Sequence, residues 1–114
     1  MDEDSSKTFS ESDVYALLAH ARRRLILRVL QDFETPMLTT ELAEIIADCE
    51  TDSPTTRKRQ IILLSLYHTH LPKLNEATVV DYDRERGTVQ PGPNFDILIG
   101  ILEAQCDEYG PFSD

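Results

Sequence analysis

One stretch, residues 53–83, most constrains what this chain can fold into: SPTTRKRQIILLSLYHTHLPKLNEATVVDYD. Ser53 is suited to cap the free N–H groups of a helix, and Pro54 fits the first helical position because its missing N–H would be unpaired there. Three adjacent cations follow, and six of the seven residues from Ile61 to Tyr67 are apolar. The stretch therefore predicts a helix with a cationic N-terminal end and a buried second half, which is typical of a recognition helix.

The residues before this stretch predict either one long helix or two shorter ones. Ser10 followed by Asp13 has the pattern of a capping box, and no Gly or Pro interrupts the helical periodicity of residues 11–32. Periodicity alone leaves open whether this helix is continuous or bends near His20.

A short strand and a second helix are predicted next. Pro36 breaks the helical pattern, and residues 37–38 form a candidate edge strand. Thr39 is placed to cap a helix that runs to about residue 48. The polar turn of residues 49–52 has the length of a helix-turn-helix junction.

A kink and a β-hairpin are predicted after the recognition helix. Pro72 has no N–H to donate, so the helix should kink near Leu71. Residues 79–82 and 88–90 are candidate strands, and the polar residues 83–87, ending in Gly, form the turn between them.

The predicted order of elements is that of a winged helix-turn-helix domain, a mainly α fold with a small β-hairpin. Three helices form the core, the hairpin is the wing, and Asn94 caps an extra C-terminal helix. The chain is predicted to divide into an acidic disordered tail (1–8), the winged-helix domain (9–92), the C-terminal helix (93–106) and a flexible tail (107–114).

Charge is distributed unevenly along the chain. The formal net charge is −10, from 21 acidic and 11 basic residues, and eight of the bases are Arg. Such a composition suits either a halophile protein or an ordinary acidic protein. An acidic chain argues against a nucleic acid partner, but residues 53–75 carry four bases and no acid, so a local basic surface is not excluded.

Several classes of protein are not expected. No signal-peptide pattern is present, and no unbroken apolar run, Ile61–Leu64 included, is long enough to span a membrane, so a cytoplasmic protein without a membrane partner is predicted. Cys49 and Cys106 lack metal-site spacing, and free buried thiols are predicted in preference to a disulfide between them. No catalytic motif or cofactor loop is found, so neither an enzyme nor a cofactor is expected.

Two sets of polar residues are interpreted as structural. His68 and His70 point about 200° apart on a helix, so they do not form a metal pair, and His70 is predicted to be a partly buried hydrogen-bonding residue. The arginines at 22–24 and 28 are interpreted as bracing a helix against nearby acids rather than as a second phosphate patch. The acids expected to pair with them are Asp32, Glu34 and Glu44.

Double-stranded DNA is the predicted partner. Arg can bond a guanine edge, Gln an adenine edge, and Thr with the helix N-terminus can bond phosphate, while arginines at the hairpin tip would reach the neighbouring minor groove. The alternative is a solvated polar turn and a hairpin neutralised by its own acids, Asp83 and Glu85. The predicted DNA-binding residues are Thr55, Thr56, Arg57, Lys58, Arg59, Gln60, Arg84 and Arg86.

The competing hypothesis is a protein-interaction or dimerisation module that does not bind DNA. The last helix has apolar residues on more than one face, so it either pairs with a second copy or covers its own core. A homodimer, the favoured state, would place two recognition helices on a twofold site. The predicted dimerisation residues are Phe95, Leu98, Ile99, Ile101 and Leu102.

Two segments carry a resemblance to a known family. LLAHARRRLILRVL (17–30) and LSLYHTHLPKLNEATVVDYDRERGTV (64–89) resemble a winged-helix domain family of unknown function from halophilic archaea, over roughly residues 12–90. More loosely, the layout is similar to ArsR-type regulators, in which a helix ends in H-L-x-x-L before a wing. The resemblance implies a cytoplasmic DNA-binding regulator, a first helix split near His20 and a halophile surface. Thr78 stands where relatives commonly have Gly.

Overall fold

Helices and one small antiparallel sheet make up the part of the chain that the structure describes. A computed structural model gives residues 10–109, apart from the side chains of Glu11 and of residues 105–109. The predicted class, mainly α with a small β component, is confirmed. The elements are α1 (Glu11–Leu18), α2 (Ala21–Asp32), β1 (Met37–Leu38), α3 (Thr39–Glu50), α4 (Thr56–Ser65), α5 (Leu71–Glu76), β2 (Val80–Asp83), β3 (Thr88–Pro91) and α6 (Phe95–Tyr109).

The N-terminal helical region consists of two helices. Ser10 caps α1 because its hydroxyl accepts the N–H of Asp13 at 3.1 Å, while the Asp13 carboxylate accepts the Ser10 N–H at 3.4 Å, so the predicted capping box is confirmed. His20 has an extended backbone (φ −95°, ψ 127°), and this separates α1 from α2. The predicted tails at 1–8 and 110–114 lie outside the described residues, whereas residues 107–109 continue α6.

The predicted strand at residues 37–38 is confirmed, and it lies at the edge of a sheet with the order β1-β3-β2. The predicted cap at Thr39 is wrong, since the helix already includes this residue and the Glu41 carboxylate accepts the N–H of Leu38 at 3.2 Å. Thr39 instead donates its N–H to the Gly87 carbonyl at 2.9 Å, and its hydroxyl bonds the Tyr67 hydroxyl at 3.0 Å. The first residue of α3 therefore joins the hairpin to the following helices.

The helix predicted to start at Pro54 begins two residues later. Thr55, with an extended backbone, caps α4 through a 3.0 Å bond from the Lys58 N–H to its hydroxyl. Ser53 is not the cap, because α4 begins after Thr55; the Ser53 N–H donates to the Thr51 hydroxyl at 3.4 Å.

A π-helical turn, Leu66–His70, joins α4 to α5. The N–H of Leu71 donates to the carbonyl of Leu66, five residues back, which shifts the hydrogen-bond register by one residue. Because Pro72 has no N–H to donate, this wider turn lets the chain continue helically past it. The disturbance predicted near Leu71 is therefore a π-helical turn that precedes the proline.

The β2–β3 hairpin is antiparallel, with Tyr82 opposite Val89. Gly87 closes its turn with φ 66°, a conformation that favours glycine, and donates its N–H to the Asp83 carbonyl at 2.8 Å. At the base of the hairpin, Thr78 has φ 56°, a backbone conformation that favours glycine and that fits the Gly expected here from the resemblance.

One core lies between the helices and the sheet. Its largest fully buried side chains come from α2, α3, α4 and its continuation, the sheet and α6. They are Ile26, Leu27, Leu42, Ile46, Ile62, Leu66, Leu71, Leu74, Val79, Val80, Val89 and Leu98. Because α4, the hairpin and the other helices all contribute buried side chains, and α1 and β1 add Leu17, Leu18 and Met37, the hairpin and α4 are fixed to the same core.

Candidate nucleic-acid interface

The first turn of α4 carries two cations that are free for a ligand. Arg57 is exposed and Arg59 partly buried, and neither forms an ion pair with any described residue. Thr56 and Gln60 are exposed beside them, while the Thr55 hydroxyl is occupied by its cap bond. Arginines on the N-terminal turn of a helix suit an anion, because the unpaired N–H groups and the helix dipole add positive potential there.

Lys58 lies between these two arginines but faces the protein. Its ammonium is 3.3 Å from the Glu50 carboxylate at the end of α3. A cation that is already paired with a carboxylate gains less free energy by binding a phosphate than an unpaired one does. Of the three adjacent cations, Arg57 and Arg59 are therefore the stronger candidates for ligand contact.

Glu50 connects three helices. Arg22 of α2 donates to its carboxylate through Nε at 2.7 Å and Nη2 at 2.8 Å, and donates through Nη1 to the Ser65 hydroxyl at 3.1 Å. The hydrogen bond with Arg22 lowers the pKa of Glu50, and the same bond raises the pKa of Arg22. Glu50 and Arg22 thus hold both ends of α4 against α2 and α3.

This arrangement corrects the predicted partner of Arg22. The interpretation of the arginine as a brace holds for Arg22, but its acid is Glu50 and not Asp32, Glu34 or Glu44. Glu50 lies 28 residues away in sequence. Only the packing of α2 on α3 brings the two side chains together, so local spacing could not identify the pair.

Arg23 and His70 are buried next to the contacts of Glu50 with Arg22 and Lys58, which we call the Glu50 brace. Arg23 is 4% exposed and His70 5% exposed, and burial lowers the pKa of Arg23. Burial, followed by the charges of Arg23 and His20, lowers the pKa of His70 to about 4. The His20 and His70 rings meet edge to face at 5.5 Å. His70 is buried as predicted, but Nδ1 bonds no described residue, so the predicted hydrogen bond is not seen there.

A single exposed face runs along α4 and into the π-helical turn. Arg57, Ile61, Leu64 and His68 follow one another at helical spacing and are all exposed. The predicted burial of the second half of this helix does not hold for Ile61 and Leu64, which are 49% and 55% exposed. In the sequence, Ile61 follows Arg57 by four residues and Leu64 follows Ile61 by three. This helical spacing is the signal for the exposed face.

The exposed face leads to a cleft beside the hairpin. His68 lines this cleft, of about 440 Å³, together with Lys73, Glu76, Tyr82 and Arg84. A side chain of the α4 face and a side chain of the hairpin turn therefore border the same space. His68 and Lys73 were not among the predicted contacts, because only the folded hairpin brings Arg84 to them.

The two hairpin arginines differ in their surroundings. The Nε of Arg86 is 3.7 Å from the Asp83 carboxylate, which also accepts backbone N–H groups of Glu85 and Arg86 at 3.1 Å. Arg84 forms no ion pair with a described residue and borders the cleft. The predicted neutralisation of the hairpin by its own acids thus applies to Arg86.

The proposed dimer residues of α6 mostly face the core of their own chain. Phe95, Leu98, Ile99 and Leu102 are buried, and Ile101 is partly buried. Of the two roles considered for this helix, the structure favours covering the protomer's own core. Ile97 is the large apolar side chain of its described part that remains well exposed. Dimerisation through this helix stays a prediction.

Two further findings concern the described residues. None of their helices is long and apolar enough to cross a membrane. Cys49 is a free thiol but is exposed, which corrects the prediction that it is buried, and the Cys106 side chain lies outside the described part.

The comparisons with known proteins identify one family. A family model described as a domain of unknown function, DUF7344, matches residues 15–90. The matched segment contains the exposed face of α4, the Glu50 brace and the hairpin, and it ends before α6. No curated protein and no solved structure matches the chain.

Proposed function

We propose that this chain, which belongs to the DUF7344 family, is a DNA-binding transcriptional regulator with a winged helix-turn-helix fold. In this proposal α2, α3 and α4 are the three helices, α4 reads the major groove, and the β2–β3 hairpin is the wing. The element order and the pairing of β1 with β3 support it, because the first short strand then ties the helix-turn-helix to the wing.

The observation that carries the proposal is the position of His68. It belongs to the exposed face of α4 and also lines the cleft beside Arg84. The helix and the hairpin therefore form one continuous surface, with Arg57 near one end and Arg84 at the other. A duplex lying along it would offer base edges to α4 and phosphates to the cleft and the hairpin.

The charges on this surface suit a polyanion although the chain as a whole has a net charge of −10. Arg57, Arg59, Lys73 and Arg84 form no ion pair with a described residue, and the acid that lines the cleft is Glu76. Four phosphate contacts would give a slope of about −4 for log K against log salt concentration.

The brace explains why part of the basic charge is turned inward. Glu50 pairs with both Lys58 and Arg22, and so fixes α4 to α2 and α3 before any ligand arrives. A helix held rigidly at both ends loses little conformational entropy on binding. The competing protein-interaction hypothesis rested on α6, whose apolar side chains are largely buried, so no observation favours it.

The proposal is tested by selecting 20-base-pair duplexes from a random pool with the wild-type chain and measuring their binding by fluorescence anisotropy over a range of KCl concentrations. We expect Arg84→Ala to weaken binding of this selected duplex about five- to tenfold and to reduce the salt slope by about one. Arg86→Ala is the matched control, because Asp83 already pairs with Arg86. Failure of the wild type to enrich any duplex, or equal losses in the two variants, would contradict the proposal.

A further inference from the structure

Two large apolar side chains stand in the middle of the proposed DNA-reading face. Ile61 is 49% exposed and Leu64 is 55% exposed, whereas Ile62 on the opposite side of α4 and Leu66 at the start of the π-helical turn are fully buried. The exposed pair is not needed to fill the core. Polar residues flank it, Arg57 and Gln60 on one side and His68 on the other.

The size and surroundings of this pair argue against a protein partner. A standard protein interface buries ~800 Å² on each partner, far more than two half-exposed aliphatic side chains provide. The unpaired arginines on the preceding turn also favour a negatively charged ligand. A ligand that is both anionic and apolar at intervals fits this mixed face best.

The major groove of DNA offers such a combination. Its edges present hydrogen-bonding groups from every base, phosphates border it, and the C5-methyl group of thymine supplies an apolar contact. Seven residues separate Arg57 from Leu64, so the face extends over about 10 Å, which corresponds to about three base pairs. A helix of this kind can contact a polar edge and apolar methyl groups in the same half-site.

We propose that Ile61 and Leu64 are specificity-determining residues that contact thymine methyl groups in the major groove. The inference rests on the proposed function and specifies which duplexes the chain prefers. They carry thymines next to the base pairs that Arg57 and Gln60 approach. Each methyl buried against an aliphatic side chain contributes about fourfold in affinity, so the two together contribute about ten- to twentyfold.

The test replaces thymine by uracil, which pairs identically but lacks the C5-methyl group. The selected duplex is amplified with either dTTP or dUTP, and both products are titrated with the wild type, with Ile61→Ala/Leu64→Ala and with Ile97→Ala. We expect the wild type and Ile97→Ala to prefer the thymine duplex about ten- to twentyfold. The Ile61→Ala/Leu64→Ala variant should bind both duplexes within about twofold of each other. Ile97 is the control because it is also 49% exposed but lies on α6.

Each other outcome is decisive. Equal binding of the two duplexes by the wild type overturns the thymine inference and leaves the proposed function intact. Failure to select any duplex overturns both. Sedimentation showing a wild-type dimer that Ile61→Ala/Leu64→Ala converts to a monomer assigns the pair to a second copy of this chain and overturns the inference.

Discussion

Replacing Arg57 and Arg59 together by alanine is expected to weaken binding of the selected duplex by about 10²–10³-fold. Neither guanidinium group forms an ion pair with a described residue. Arg57 lies on the exposed face and is available to base edges, whereas Arg59, two residues on and so about 200° around the helix, is partly buried and adds its charge from the other side of the first turn, toward a phosphate. A specific arginine contact contributes ~1–3 kcal/mol, and two at about the middle of that range give the expected loss. Anisotropy titration measures it directly.

Lys58→Ala provides the matched control for this pair. Lys58 lies between the two arginines in sequence but pairs with Glu50, so its loss should change the affinity by less than about threefold. Thermal unfolding of all variants separates a binding defect from a folding defect. An unchanged affinity of the double variant, or a loss with Lys58→Ala as large as that of the double variant, would remove α4 from the binding site.

Acidification is expected to destabilise the fold between about pH 6.5 and pH 4 through His70. The imidazole is buried, and its folded-state pKa is lowered from 6.5 to about 4. In this window the unfolded chain binds a proton that the folded chain excludes, so stability rises with pH and falls on acidification. The shift corresponds to at most about 3 kcal/mol.

Urea unfolding at a series of pH values measures this effect. His70→Gln should lose most of the dependence on pH between 6.5 and 4, whatever its absolute stability, and His68→Gln, in which an exposed histidine is replaced, should retain it. Glu50, whose pKa is lowered, contributes stability that is lost only further toward acid. If the wild type and His70→Gln show the same slope, protonation of His70 does not limit stability.

Local chemistry was enough to predict the order of the elements. Neighbouring residues determine three of the predicted features, and all three are confirmed. They are the capping box at Ser10, the strand at residues 37–38 and the hairpin whose turn ends at Gly87. The break at His20 could be anticipated only as one of two alternatives, because no Gly or Pro marks it.

Tertiary contacts decided what local patterns could not. The apolar run of α4 looked continuous, but a helix buries one face, so Ile61 and Leu64 are exposed while Ile62 is buried. In the sequence Lys58 is equivalent to the two arginines beside it. In the fold its ammonium lies 3.3 Å from the carboxylate of Glu50, at the end of the preceding helix. The apolar side chains of α6 suggested a partner, but the chain's own core covers most of them.

Amide chemical-shift mapping of the isotope-labelled chain with the selected duplex tests the central claim most directly. We expect the largest changes at the N-terminal turn of α4, along its exposed face to His68, and at the hairpin turn around Arg84, since these residues form one surface. Little change is expected for the amides of α6 in its described part, or for those of the α3 residues on the side away from α4. Changes centred on α6, or no changes on saturation with duplex, would contradict a DNA-binding face formed by α4 and the hairpin.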